Sequence, residues 1–373
     1  MGTIVTPYEV KGNIDYSKLI KKFGVSAIDN KQLKLLEKHT GEIHHLLRRQ
    51  IFFAHRDFEK FLDVYEKKGK ENTFLYTGCG PSGPIHMGHA IVWQFTKWLQ
   101  DTLDVDLYFQ FTDDEKFLYK NLSYDEIQKW LYENMLDVIA LGFNPKKTHF
   151  IINTKHANLM YPQALKVAKK LTLSTVKSAF GFGNEVNVGS YFYTAMQAVP
   201  TFLPSVLHNK KMHCLIPHAI DQDAHFRLTR DIVPKLGYPK PSSIQSRFLP
   251  GLAGMEGSGK LSSSTGQAIY LTDTPKQVAK KINKYAFSGG RETVEEHRKK
   301  GGDINIDIAY QWLLFLEEDD NKLEKYAKDY SSGKLLSGEM KKLLINKINL
   351  FLADHQKRRE NAEKQLSKFI LTC

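Results

Sequence analysis

The chain has 373 residues, of which 42% are hydrophobic and 25% charged, enough for two or three domains with a sizeable core. Three cysteines, Cys79, Cys214 and Cys373, without any CxxC spacing, argue against a disulfide framework and a structural zinc site and for a reducing, cytoplasmic compartment. A formal charge of +12, from 53 basic and 41 acidic residues, points to a polyanionic partner.

In chain order, residues 1–60 mix a β-prone piece, "TIVTPYEV", with helical runs such as "DNKQLKLLEKHT", and read as an N-terminal extension packing on the domain that begins at about residue 61. From Thr73 the pattern changes: "TFLYT" is a buried strand, "GCGPSGPIHMGH" (78–89) a loop, and "HAIVWQFTKWLQD" a helix. "VDLYFQFT" is a second strand and "DDEKFL" opens another helix, which completes a βαβ unit. "THFIINT" (148–154), "MHCLIP" (212–217) and "AIYLTD" (268–273) supply further strands, and "AIDQDAHFRLTRDIV" starts a helix. The segment "YFYTAMQAVPTFLPSVL" (191–207) is apolar, but Pro200 and Pro204 break it and it is too short to span a bilayer. It reads as core or interface. Beyond Pro275 the pattern is helical, with Met340, Leu344, Ile348 and Leu352 recurring on one face. The expected fold is therefore α/β, a doubly wound, Rossmann-like parallel sheet over 61–274 followed by an all-helical domain over 275–373. Residues 276–300 carry eight basic and three acidic residues, a net of +5, whereas 301–373 are neutral. The positive charge sits at the entrance to the helical domain.

A Gly-rich loop between a strand and a helix N-terminus is a phosphate cradle, because backbone N–H groups and the helix dipole point at the anion. Gly78 and Gly80 lie in that loop, His86 and His89 fall on one face of the first turn, and Gly88 leaves room for a flat ring such as adenine. Both imidazoles can donate to a phosphate. The plainer reading is a glycine turn with two exposed histidines. Later segments shift the balance. "AIDQD" (219–223) puts Asp221 and Gln222 at a strand's carboxyl end, where α/β sheets bind ligands. "GSGKLSSST" (257–265) puts Lys260 in a Gly/Ser loop, with Ser262 and Ser264 behind it as further donors.

With "HMGH" early and "KLSSS" late, the chain resembles the class I aminoacyl-tRNA synthetases, which carry HIGH and KMSKS motifs. The longer strings "LYTGCGPSGPIHMGH", "FQFTDDEK", "AIDQD" and "AFSGGRETVEEHR" are similar to the tryptophan-specific branch of eukaryotic cytosolic type, and the resemblance runs from about residue 8 to the C-terminus. Three positions depart from the pattern: Cys79 stands where the family usually has arginine, Ser263 replaces the second lysine, and Leu261 replaces methionine. The resemblance implies activation of L-tryptophan by Mg²⁺-bound ATP and transfer of the acyl group to tRNA(Trp). No covalent nucleophile is needed, so positioning and charge stabilisation carry the rate. His86 and His89 would contact the phosphates, Lys260 would follow the leaving pyrophosphate, and Asp221 would fix the ribose. The family also implies a homodimer built by a region inserted at about 150–210, beside the amino-acid pocket. Its helical domain reads the anticodon, so Phe287 and Arg291 are candidate tRNA contacts; a solvated charged face is the alternative.

Indole recognition needs an apolar slot and an acceptor for one N–H. Tyr76 and Gln110 match the family's indole-reading positions, at the ends of two expected strands, and Glu115, Gln197 and Gln222 match those that hold the substrate's ammonium group. Without that context Gln110 is an edge-strand polar residue and Gln197 a cap. A tyrosine-specific relative is the nearest rival, but a carboxylate rather than glutamine would then be expected at 110. A small-cofactor adenylyltransferase would lack the basic helical domain, and a non-catalytic RNA-binding or signalling relative would be expected to lose His86, His89 or Lys260.

Overall fold

The computed structural model describes residues 16–254 and 267–372 and the backbone of a short antiparallel pair, Ile4–Val5 with Val10–Lys11. The central feature is a seven-stranded sheet. In chain order its strands are β1 (Ser26–Ala27), β2 (Phe52–Arg56), β3 (Thr73–Cys79), β4 (Asp106–Phe111), β5 (Thr148–Ile152), β6 (His213–Ala219) and β7 (Ser242–Ser246), and in space they lie β1-β2-β7-β6-β3-β4-β5. From β7 to β5 every pairing is parallel, whereas β2 pairs antiparallel with β7 and with β1. Parallel strands joined by helical crossovers are covered on both faces. Accordingly the central strands β3, β4 and β6 are largely apolar, with Phe74, Leu75, Leu107, Phe109 and Leu215 fully buried, as is Phe150 of β5.

Helices α1 (Met87–Leu103), α2 (Asp113–Tyr119) and α3 (Tyr124–Ala140) make the first two crossovers. Between β5 and β6 come α4 (Ala157–Ala168), α5 (Leu173–Phe180) and α6 (Val188–Ala198), and α7 (Asp223–Ile232) comes after β6. The apolar segment 191–207 is broken at both prolines, as expected, and Tyr193, Met196, Val199, Phe202 and Leu203 are buried within the chain. No helix among the described residues is long and apolar enough to cross a membrane.

Past Pro275 come α8 (Pro275–Tyr285), α9 (Val294–Lys300), α10 (Ile308–Leu316), α11 (Asp320–Ser331) and α12 (Ser337–Arg359). The expected face of α12 is its buried one: Met340, Leu344, Ile348 and Leu352 pack towards α8 and α10. These helices share one continuous apolar cluster with the sheet, and the chain end returns to it, the Leu371 N–H donating to the Phe150 carbonyl at 3.0 Å.

Two readings of the sequence need correction. "AIYLTD" is not a strand of the sheet. It forms an isolated bridge, Tyr270 with His86, in which Met87 N–H donates to Ile269 O and Leu271 N–H to Ile85 O, both at 2.9 Å. It clips the glycine-rich turn to the body of the protein. Conversely, β1, β2 and β7 were not anticipated. "SSIQS" of β7 lacks the apolar run that marks a buried strand, yet all five residues are buried. Several of its polar groups find internal partners: Ser242 Oγ donates to Asp57 O at 2.6 Å, and Gln245 Nε2 to Ser243 Oγ at 2.9 Å, whereas Ser246 Oγ and Gln245 Oε1 are buried without one.

Candidate active site

The chain winds outward from β3 through β4 to β5 and then returns to β6 on the other side of β3, so β3 and β6 flank the switch point of the sheet. Their pairing stops at Leu75–Leu215, whereas β3 stays paired with β4 to Cys79–Phe111 and β6 with β7 to Ala219–Ser246. The two carboxyl ends therefore part, and a cavity of about 990 Å³ opens between them. It is lined by Tyr76, Gly78, Gly80, His86, Gly88, His89, Gln110, Glu115, Gln197, Asp221 and Gln222. Residues as far apart in sequence as Tyr76 and Gln222 thus meet at one crevice. Lys260, Ser262 and Ser264, with Leu261 and Ser263, lie outside the described residues.

His86 is the N-cap of α1. Its backbone is extended, and its Nδ1 accepts the Gly88 N–H at 3.1 Å. An accepting Nδ1 puts the proton of the neutral ring on Nε2, which makes Nε2–H the ring's donor. His89 stacks on His86 with centroids 3.9 Å apart and on Trp93 at 5.5 Å. The two imidazoles are thus held as a parallel pair beside the positive end of a helix of 17 residues. The loop glycines answer a second need. A Cβ on Gly78 would lie 2.4 Å from the Gln110 carbonyl oxygen, and one on Gly80 would lie 1.8 Å from Lys116 Cε. Both allow close approach of neighbouring chain, whatever else they do. Burial pushes the Cys79 thiol up, which favours its protonated form.

Deeper in the crevice, Tyr76 and Gln110 are fully buried and in contact, Tyr76 Oη donating to Gln110 Oε1 at 2.5 Å. Gln197 Nε2 donates to Tyr76 Oη at 2.8 Å, and Tyr193 Oη donates to Gln197 Oε1. Gln110 is an inner-strand residue, since β4 lies between β3 and β5, and Gln197 lies near the end of α6 with its side chain turned inward; neither is the edge residue or cap that sequence alone allowed. Burial alone would raise the Glu115 carboxyl, but the Lys116 ammonium at 2.8 Å and the Thr112 hydroxyl at 2.7 Å more than offset it and hold it low. An ionised carboxylate therefore faces the cavity. His225, which also lines it, is driven down to about 4 by burial and stays neutral. Asp221 and Gln222 form a single 3₁₀ turn after β6, and the next residue, Asp223, takes both Nε and Nη2 of Arg56 at 2.9 and 2.8 Å. That bidentate pair ties β2 to the turn after β6.

Phe287 and Arg291 are not among the lining residues. Both are exposed on the helical part, and Arg291 Nε donates to Gly301 O at 3.0 Å. The adjacent Gly289 and Gly290 are packed too tightly for any Cβ, against Asp303 O and Ser337 Oγ. Sequence reasoning missed Asn153, Tyr193, His225 and the Arg56–Asp223 pair. A strand-end position was the available signal for Asn153, which comes directly after "THFII"; nothing in the sequence marks the others.

A switch-point crevice with a stacked histidine pair at the first crossover helix lies where a doubly wound sheet binds its ligand. The family model for "tRNA synthetases class I (W and Y)" matches residues 67–353, and the chain belongs to that family, on its tryptophan branch. The tryptophan–tRNA ligase of Sulfurisphaera tokodaii is 50% identical over 98% of this chain and 94% of its own length. That of Pyrococcus abyssi is 47% identical over 99% and 94%. Among solved structures, the tryptophanyl-tRNA synthetase of Plasmodium falciparum superposes with a TM-score of 0.89 at 42% identity, covering 96% of this chain and 98% of that one. A product-bound parasite tRNA synthetase gives 0.91 at 42% identity, with 96% of each chain covered.

Proposed function

We infer that the chain is a tryptophan–tRNA ligase, which activates L-tryptophan with ATP and passes the acyl group to tRNA(Trp). The observation that carries this reading is the buried Tyr76–Gln110 pair, an acceptor in the aromatic-lined crevice that the His86–His89 pair also lines. Tyr76 and Gln110 read the indole N–H. The low-lying Glu115 carboxylate, with Gln197 and Gln222, takes the ammonium group. Across the cavity the phosphates of ATP lie against His86, His89 and the backbone of the 78–88 turn, and Asp221 takes the ribose. Mg²⁺ enters with ATP, on the substrate's own phosphates. Lys260, Ser262 and Ser264 meet the departing pyrophosphate, a role supported by the sequence pattern alone. Amino-acid-dependent ATP–pyrophosphate exchange with all twenty amino acids tests the assignment.

The long strings shared with the eukaryotic cytosolic branch support that subtype and a cytoplasmic location. A homodimer is the proposed assembly. Tyr161 and Leu165, one turn apart on α4, Leu173 at the start of α5 and Val188 at the start of α6 are 52%, 47%, 58% and 85% exposed, on helices that pack against one another. So much open apolar surface beside the substrate crevice is characteristic of an interface. Sedimentation at micromolar concentration is expected to give a dimer, and Val188→Glu with Leu165→Glu a monomer. A wild-type monomer would overturn the proposal.

The exposed Phe287, Arg291 and the basic run of 276–300 are the proposed anticodon contacts. Arg291→Ala is expected to leave tryptophan-dependent exchange intact while weakening aminoacylation through the tRNA term. If Arg291 only ties the loop to Gly301, thermal stability will fall and aminoacylation will not.

A further inference from the structure

The buried chain of hydrogen bonds around Gln110 has a direction. Tyr193 donates to Gln197, Gln197 to Tyr76, Tyr76 to Gln110 Oε1, Gln110 Nε2 to Asn153 Oδ1 at 2.8 Å, and Asn153 Nδ2 to Asp114 Oδ1 at 2.7 Å. Every donor points the same way, and the chain ends on a carboxyl oxygen that also accepts the Glu115 N–H at 2.8 Å. The two ends of a glutamine amide are nearly identical in shape and opposite in chemistry. Packing alone cannot decide which end of Gln110 faces the crevice; hydrogen bonding has to. As observed, Oε1 faces Tyr76 and keeps a second lone pair for an incoming N–H. With the amide turned over, the crevice would present an NH₂ group to a donor-only substrate group, and Gln110 Oε1 would lie against Asn153 Oδ1, acceptor to acceptor in a dry site.

We propose that Asn153 is the positioning residue that sets the amide of Gln110 carbonyl-inward, and so sets the preference for an indole N–H. Asn153 is suited to this because it has no freedom of its own. It is 1% exposed, its backbone N–H is held by Phe111 O at 3.2 Å, and its own amide is oriented by Asp114. It sits just past the end of β5, the outermost of the parallel strands, two residues beyond Ile151, the residue that pairs with Gln110. The inference rests on the proposed contact between Gln110 and the indole.

The test uses two substrates of one shape, tryptophan and β-(3-benzothienyl)alanine, in which sulfur replaces the N–H. The ratio of their kcat/KM values in pyrophosphate exchange is independent of how much of a preparation is folded. Wild type is expected to favour tryptophan strongly. In Asn153→Leu that ratio should fall by about 10- to 100-fold, through a higher KM for tryptophan with the analogue almost unchanged. Asn153→Asp keeps an acceptor for Gln110 Nε2, and a proton shared between its second oxygen and Asp114 takes the place of the lost Nδ2–H donor, so it should restore most of the preference. If Asn153→Leu slows both substrates alike, the residue is merely structural and the inference fails while the indole reading stands. If Gln110→Leu itself leaves the ratio at its wild-type value, the indole reading fails and takes the inference with it.

Discussion

Pyrophosphate exchange by this chain is expected to require tryptophan, with tyrosine and phenylalanine slower by about 10⁴-fold or more. The size of the effect comes from burial. Tyr76 and Gln110 are 1% and 0% exposed, so a substrate that fails to engage the free lone pair of Gln110 Oε1 leaves that acceptor dry and unpaired. Phenylalanine has no donor to offer. Tyrosine carries an O–H, which acts as donor and acceptor from a different point on a smaller ring, and no carboxylate is present at 110 to receive it. Tryptophan also fills more of the slot than either, so the smaller rings lose apolar contact as well. Measuring exchange across the twenty amino acids settles the matter: comparable rates with tyrosine would exchange the tryptophan assignment for that of its sister specificity.

The second large effect belongs to the histidine pair. His89→Ala is expected to slow single-turnover adenylate formation by about 10²- to 10³-fold, with tryptophan affinity nearly unchanged, because the imidazoles are proposed to meet phosphate charge that grows as pyrophosphate leaves. His86 needs a more careful substitution. Its Nδ1 caps α1, so His86→Ala would lose both a phosphate donor and a helix cap, the latter costing about 1 kcal/mol of stability. His86→Asn keeps a side-chain cap and removes only the Nε2–H donor. A wild-type rate of adenylate formation in His86→Asn would reduce His86 to a cap. A stable protein with slow chemistry would assign it to the phosphates.

Much of the site was readable in the chain because its elements are local. The glycine-rich turn, the 78–89 run into α1 and the "AIDQD" turn after β6 are each written in a few consecutive residues, and turn chemistry and helix capping act over that range. The face of α12 was equally legible, since four apolar residues at helical spacing have one way to be buried together. The polar strand β7 was not. Its burial depends on Asp57 and on neighbouring strands far away in sequence, so no window of residues around it announces a strand. "AIYLTD" erred in the other direction: its apolar, β-branched composition suits a strand, but it lies against the glycine-rich turn rather than along the sheet, and pairs there with His86.

What the sequence determined by itself was the set of parts: a βαβ start, two histidines at a helix mouth, a basic entry to a helical region, and the residue types that an indole and a nucleotide require. What only the tertiary structure decided was direction. Gln110 could have stood on an edge or in the interior, and its amide could have pointed either way. The order β6-β3-β4-β5 puts it inside, and the one-way run of donors from Tyr193 to Asp114 turns its carbonyl to the crevice. The reason is physical: residue identity fixes how many donors and acceptors a side chain has, but which of them faces a ligand depends on partners brought in from other strands.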